Sequence, residues 1–209
     1  MRILPLLLSC LVTAAVGQTV SDERVQKFLG DNRNSWHDLN VPYEDGKVLY
    51  DLIVKNNYKS ALEIGTSTGH STIWIAWALS KTGGKLVTIE IDERRHKQAL
   101  ENLKSVGLSH VVDARLADAH VLVKELTGPF DFVFSDADKG WYIQYFKDVD
   151  PKLVIGGCFT AHNVRNSYGG TKEFVDYITA LDNYETTIDK SSRSGISISY
   201  KRSRTEIKN

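Results

Sequence analysis

Cysteine is nearly missing from this chain of 209 residues, which has only two. Cys10 falls inside an apolar leader, so removal of that leader leaves Cys158 alone. An internal disulfide is then excluded even in an oxidising compartment, and stability has to come from packing. Cys158 itself sits in the run Gly156-Gly157-Cys158-Phe159-Thr160, which reads as a buried strand with a packed thiol rather than a nucleophile. A surplus of either charge is missing too. Lysine plus arginine and aspartate plus glutamate both total 26, leaving no net positive field to draw in nucleic acid or an anionic membrane. No apolar run reaches the roughly 20 residues that a membrane-spanning helix needs. Internal repeats and low-complexity segments are absent, as is the Gly-x-Gly-x-x-Gly signature of dinucleotide binding.

What is present suits one soluble globular domain: 42% hydrophobic and 25% charged residues in a chain long enough for a substantial core. Residues 1–17 stand apart. Arg2 is their one charged side chain, Ile3 to Val16 is almost unbroken in apolar or small residues, and Ala15-Val16-Gly17 puts small residues before Gln18. This pattern reads as a signal peptide over 1–17 followed by a single domain over 18–209. Pro5 and the abrupt polar switch at Ser21-Asp22-Glu23-Arg24 weaken the competing reading as a buried helix. Export to a periplasmic or extracellular location is expected, with anchoring through the N-terminal segment as the alternative. Leu8-Ser9-Cys10 offers a lipoprotein cleavage site, but little apolar sequence precedes it.

From Ser60 onward strand-like runs alternate with helix-like segments, the pattern of an α/β fold with a parallel sheet covered on both faces. The strands are expected at Ala61 to Ile64, Leu86 to Ile91, Val111 to Leu116, Phe130 to Phe134 and Val154 to Thr160. Ala99, Leu100, Leu103 and Val106 mark one face of a helix ended by Gly107. After Gly169-Gly170 a helix over Thr171 to Leu181 precedes two strands, Tyr184 to Ile188 and Ile196 to Tyr200. Ser192-Arg193-Ser194-Gly195 joins these two tightly, so they run antiparallel. Seven strands result, and Ser203 to Asn209 reads as a polar tail.

The most informative stretch is Leu62-Glu63-Ile64-Gly65-Thr66-Ser67-Thr68-Gly69-His70-Ser71-Thr72, a strand that runs through a glycine-containing turn into a helix. Glycine lets a ligand approach the backbone, and the helix start offers free N–H donors. Alone, such a turn is often only a bend. Its weight comes from Glu90, about 20 residues on at the end of the next strand, where a carboxylate can accept hydrogen bonds from ribose hydroxyls. Together they specify an adenosine-type ligand, and the three residues between Gly65 and Gly69 argue against a nicotinamide dinucleotide.

Further along, Ser135-Asp136-Ala137-Asp138-Lys139 and Ala161-His162-Asn163 end two successive strands on the same rim. Asp136, His162 and Asn163 are competent metal ligands, and Lys139 could reach a metal-bound hydroxyl. Taken singly, each of these residues is more simply a solvated loop acid or a satisfied strand-end histidine. Their joint arrival beside an adenosine site reverses that preference.

These motifs resemble the class I S-adenosylmethionine-dependent O-methyltransferases of the metal-dependent catechol and caffeoyl-CoA type, over about Val41 to Asn163. The resemblance implies a Rossmann-like, doubly wound, mostly parallel seven-stranded sheet with an antiparallel C-terminal strand. It places Gly65, Ser67 and Ser71, with Glu63 and Gly69 of the same motif, at the methionine portion of S-adenosyl-L-methionine. Glu90 then holds the ribose, Asp118 and Ala119 contact adenine, and Val41, after Asn40 and before Asp45-Gly46-Lys47, meets the cofactor carboxylate. Asp136 also lies by the cofactor; with His162 and Asn163 it would bind a divalent metal, and with Lys139 as general base it would make the catalytic pair. Asp138 has no sure counterpart role.

Position 162 departs from the pattern, since the family most often shows Asp there. A nitrogen donor in place of a carboxylate shifts preference from Mg toward Mn, Fe, Co or Zn. A metal-free variant with His162 as a base stays open. The expected acceptor is a small molecule with two adjacent oxygens, such as a catechol. Trp36, Tyr43, Trp141, Tyr142 and Tyr168 are candidates to line its pocket, whereas Trp74 and Trp77 read as packing residues. The alternatives are a same-fold enzyme with a nitrogen or sulfur nucleophile, methyl transfer to a carbon or protein site, and an exported binding protein without turnover. By the same resemblance a homodimer is possible, contacting through residues before Ser60.

Overall fold

The computed structural model describes residues 20–165 and 169–204. The leader over 1–17, Tyr168 and residues 205–209 of the polar tail lie outside the described residues.

Two helices, α1 (Asp22–Asp31) and α2 (Tyr43–Asn56), precede β1 (Ser60–Ile64). Alternation then follows: α3 (His70–Thr82), β2 (Lys85–Glu90), α4 (Glu93–Val106), β3 (Val112–Leu116), α5 (Ala119–Glu125), β4 (Phe130–Ser135), α6 (Tyr142–Val149), β5 (Leu153–His162), α7 (Thr171–Thr179), β6 (Tyr184–Asp189) and β7 (Ile196–Lys201). The strands form one sheet in the order β3-β2-β1-β4-β5-β7-β6. All neighbouring pairs are parallel except those made by β7, which runs antiparallel to both β5 and β6.

The central strands read as near-continuous apolar runs because helices cover both faces of the sheet. Side chains alternate between those faces with the two-residue period of a strand. On β4, Phe132 and Phe134 join Leu49 and Ile53 of α2 and Ile73 and Trp77 of α3 on one side. Val133 joins Tyr145 and Phe146 of α6 and Phe174 of α7 on the other. Each fully buried side chain of this size contributes about 1.5–3 kcal/mol. The helix termini are capped by the residues the turns require. Asp92 accepts from the Arg95 N–H at the start of α4, and Gly107, at φ +77°, ends it.

The elements fall within one or two residues of their expected bounds, with two informative differences. Leu100 is 44% exposed, so the buried face of α4 is Ala99, Leu103 and Val106. Strand β5 runs on to His162, because β7 pairs with it as far as His162 opposite Ile196; His162 is thus a strand residue rather than a loop residue. Among the described residues no helix is long and apolar enough to cross a membrane.

The chain goes outward from β1 through β2 to β3, then returns to place β4 on the other flank of β1. That reversal opens a crevice beyond the carboxyl ends of β1 and β4, where open α/β sheets bind their ligands.

Candidate active site

A cleft of about 1050 Å³ lies at this crevice. Its floor is the turn after β1. Gly65 adopts φ +102°, and a Cβ there would come to about 3.0 Å of the Asp136 carbonyl carbon and the Ala137 nitrogen. Only glycine lets the β1 turn lie this close to the end of β4. Ser67, also at positive φ, lines the cleft and donates through Oγ to the Asp38 carbonyl. Gly69 caps α3 at φ +95° and abuts Ala99.

Beneath the turn, fully buried Glu63 accepts hydrogen bonds from Ser71, Thr72 and Thr88, each at 2.6 Å. Burial pushes its carboxyl up to about 7, against the pull of the three hydroxyls. Glu63 and Ser71 are therefore buried supports that hold the turn to α3 and β2, and neither lines the cleft. At the end of β2, Glu90 accepts from the Ser67 N–H at 2.7 Å and from Ile91 and Asp92 at 3.0 and 2.9 Å. Two carboxylate oxygens offer about four acceptor directions, so Glu90 ties down the turn and still has capacity toward the cleft that it lines. Asp118, Ala119 and His120 form the adjoining wall. Asp118 caps α5 through the His120 N–H, and the His120 ring stacks on Trp141 at 3.9 Å.

A segment before α2 folds over this floor. Arg94 and Arg95 both clamp Asp38, whose carboxyl is held down to about 2, mainly by hydrogen bonds from Arg95 and Arg94. Asn40 donates to Thr68 Oγ1 at 2.8 Å. The Val41 carbonyl accepts from His70 Nδ1 at 2.8 Å while Trp74 donates to the other ring nitrogen at 3.2 Å, which sets His70 as a neutral tautomer. Burial draws its pKa down to about 4. Val41 packs in the core, and its neighbours Asn40 and Pro42 face the cleft instead.

At the opposite end, four ionisable side chains form a chain of contacts. Lys139 Nζ donates to Asp136 Oδ1 at 2.5 Å, and Asp136 Oδ2 lies 3.2 Å from His162 Nδ1. His162 Nε2 in turn lies 2.8 Å from Oδ2 of Asp45, a fully buried residue of α2. Burial opposes charge on His162, but Asp136 and Asp45 outweigh it and push the ring up to about 9. Burial likewise works against ionised Asp136, and His162 and Lys139 overcome it to hold its carboxyl below the usual range. Tyr142 anchors the strand end through a 3.2 Å bond to the His162 carbonyl. Asn163, at φ +60°, follows on the cleft wall.

The structure brings Asp136 and His162 of the expected metal set into contact and places Asn163 beside them on the cleft wall. Metal ligation needs a lone pair on a neutral imidazole nitrogen, which an Nε2–H held by Asp45 would leave on Nδ1, facing Asp136. Each oxygen of Asp136 takes one such contact, so the carboxylate keeps acceptor capacity toward the cleft.

The expected aromatic lining is also redistributed. Trp36 stacks on His70 at 4.6 Å and Tyr43 packs edge-on against Trp74. Tyr142 is buried, and Tyr145 faces the cleft in its place. Trp74 and Trp77 are core residues. Asp45, Asp38 and Tyr145 escaped sequence reasoning because each acts through a partner distant in the chain.

A family model described as O-methyltransferase matches residues 20–170. The chain belongs to the O-methyltransferase family. A catechol O-methyltransferase of Niastella koreensis is 41% identical over 113 residues, 52% of this chain and 51% of that protein. Caffeoyl-CoA O-methyltransferase 1 of Arabidopsis thaliana is 30% identical over 137 residues, 63% of this chain and 52% of that one. The chain thus spans about half the length of the curated relatives it matches. Among solved structures, an O-methyltransferase from Bacillus cereus in complex with SAH superposes with a TM-score of 0.74 at 27% identity, covering 87% of this chain and 92% of that one. An O-methyltransferase from Streptomyces achromogenes involved in tomaymycin synthesis, solved in complex with SAM, gives 0.72 at 26% identity over 89% and 92% of the two chains.

Proposed function

We propose that this chain transfers the methyl group of S-adenosylmethionine to a hydroxyl of a small, catechol-like acceptor. The observation that carries this reading is the continuity of one cleft from Glu90 and Asp118 at one end to Lys139 and Asp136 at the other. A cofactor and a small acceptor fit side by side in about 1050 Å³. The family match and the relatives that bear catechol and caffeoyl-CoA O-methyltransferase names support the acceptor class.

When bound, S-adenosylmethionine supplies an electrophilic methyl group on a sulfonium. The Glu90 carboxylate accepts from ribose hydroxyls, and Gly65 and Ser67 leave backbone within reach of the methionine portion. Lys139 faces the acceptor oxygen and takes its proton. A neutral amine keeps two N–H groups, so the contact to Asp136 persists while the lone pair turns to the cleft. As the oxygen–carbon bond forms, the carbon–sulfur bond breaks and sulfur keeps the electron pair. Alignment of oxygen, methyl and sulfur is worth several kcal/mol, on the order of the intramolecular effects known for small molecules.

The test is isothermal titration with S-adenosylmethionine, followed by a catechol methylation assay. Saturable binding, weakened in Glu90→Ala, with turnover lost in Lys139→Ala, is the expected result. Absence of binding would overturn the reading. We also propose that the leader directs export; N-terminal sequencing of the secreted or periplasmic chain should begin at Gln18, and an intact leader would refute it.

A further inference from the structure

We infer that His120 is a positioning residue for Lys139: from the start of α5, at the cofactor end, it braces the turn that carries the base. The inference deepens the methyl-transfer reading above and rests on it for the role of Lys139, while the brace itself rests on contacts alone.

Lys139 stands on a short turn, Lys139–Trp141, between β4 and α6. Asp138 caps that turn. Its Oδ1 accepts from the Gly140 N–H at 3.0 Å, and its carbonyl accepts from the Trp141 N–H at 3.0 Å. The turn is held from two sides. On one, the glycines after β5 lie against its backbone, so closely that a Cβ on Gly170 would come within 3.0 Å of the Lys139 carbonyl oxygen and 3.2 Å of the Gly140 Cα.

On the other side is His120. Its ring stacks on Trp141 with centroids 3.9 Å apart and planes 21° from parallel, and its Nε2 lies 3.5 Å from Asp138 Oδ2. A single side chain therefore meets the residue before Lys139 and the second residue after it. Trp141 also packs against the apolar cluster of α6 and α7, and Lys124 Nζ, one turn after His120 on α5, lies 5.6 Å from the Trp141 ring. The stack is a contact of ring faces, so it forms whichever imidazole nitrogen carries the proton.

His120 is in turn fixed by the cofactor end. Asp118 accepts from its N–H at 2.9 Å, and the Glu90 carbonyl accepts from the Ala117 N–H at 2.9 Å. Contacts thus run without a break from Glu90, through Ala117, Asp118 and His120, to the turn of Lys139. The His120 ring lines the cleft, with 32% of its side chain exposed.

The consequence concerns the aim of the base rather than affinity. A stacked aromatic pair favours the ordered arrangement by up to about tenfold. Without the stack Lys139 spends correspondingly less time aligned with the acceptor oxygen, and proton removal depends on that alignment.

Steady-state kinetics and competitive acetylation of lysines test the brace together. His120→Ala should lower kcat about threefold to tenfold, with acceptor KM little changed and S-adenosylmethionine affinity, by calorimetry, within about threefold. His120→Phe keeps a ring over Trp141 but no ring nitrogen, and should restore kcat to within about twofold of wild type. Trp141→Ala should cost about as much as His120→Ala, and the double variant no more than either, as expected of partners in one contact. In the second arm, limiting acetic anhydride is followed by mass spectrometry with exposed Lys27 of α1 as the reference. Lys139, held at Asp136 in wild type, should be acetylated about threefold or more faster in His120→Ala and at the wild-type rate in His120→Phe. Unchanged kcat in His120→Ala, an equal loss in His120→Phe, or unchanged acetylation of Lys139 would overturn the inference. If S-adenosylmethionine fails to bind, the methyl-transfer reading falls, and the acetylation arm still decides whether His120 holds the turn. If Trp141→Ala does not fold, the two His120 variants decide it.

Discussion

The two ends of the cleft solve the same problem, how to keep carboxylates in a nearly dry place, by different means. At the cofactor end Glu63 and Glu90 are surrounded by neutral donors, three hydroxyls for one and three backbone N–H groups for the other. At the acceptor end Asp45 and Asp136 face a histidine and a lysine. Neutral donors hold a carboxylate while leaving the surrounding field nearly flat, which suits a region that has to cradle a cofactor carrying charges of both signs. Ion pairs leave concentrated charge that can be redirected when a proton moves, which suits the end where a hydroxyl must lose one.

The sharpest way to separate the two ends is Lys139→Ala. It should remove about 10²- to 10⁴-fold of turnover while leaving cofactor affinity within a few-fold, measured by steady-state kinetics beside calorimetry. Equal losses in both would mean that the ends are not independent. Glu90→Ala should show the complementary pattern, with about tenfold to a hundredfold weaker cofactor binding, since hydrogen bonds to a charged group are worth about 1.5–3 kcal/mol. Gly46→Ala tests the joint between α2 and α3. Overpacking against Trp74 should cost about 1–3 kcal/mol in urea unfolding, with turnover suffering more than cofactor affinity because Asp45 moves with the helix.

A finer contrast lies inside the cofactor turn, where two neighbours respond oppositely to pH. Unfolded, Glu63 releases its proton near 4.5, but folded it keeps it to about 7. Its contribution to stability therefore falls as pH rises through that window. His70 is the reverse. Unfolded, it binds a proton below 6.5, and folded it stays neutral down to about 4, so stability falls as pH drops through its window. Unfolding free energy measured across pH 4 to 8 should lose its fall toward high pH in Glu63→Gln and part of its fall toward low pH in His70→Gln. An unchanged profile in either variant would remove that residue from the account.

How much of this was legible in the sequence tracks the same division. The cofactor end is assembled from neighbours in the chain: Glu63 meets Ser71 and Thr72 eight and nine residues on, and Glu90 follows the turn by one helix and one strand. Apolar runs, glycines at the turn and an acid at a strand end announce it. The fold was readable for the same reason, because period and turn chemistry are local. The acceptor end joins residues 117 apart, Asp45 to His162, and nothing in a helix reading Tyr-Glu-Asp-Gly-Lys says that its aspartate will be buried. The metal set expected at Asp136, His162 and Asn163 gave no hint of that contact, since residue types alone do not tell which way an imidazole nitrogen points. The Asp38 clamp was missed similarly, because two arginines on α4 look like ordinary solvated helix charges until the segment before α2 lies over them.

The antiparallel strand β7 gives this division an order in time. Chains are made from the N-terminus at about 5–20 residues per second and fold by units as they emerge. The residues that form most of the cofactor end, from Asp38 to Asp118, are made before β4, β5 and the hairpin. His162 acquires its pairing with Ile196, and Asp45 its contact with Ser192, only once the final hairpin has been synthesised. The contacts that hold His162 and Asp45 at the acceptor end therefore form only after the cofactor-end residues have all been made.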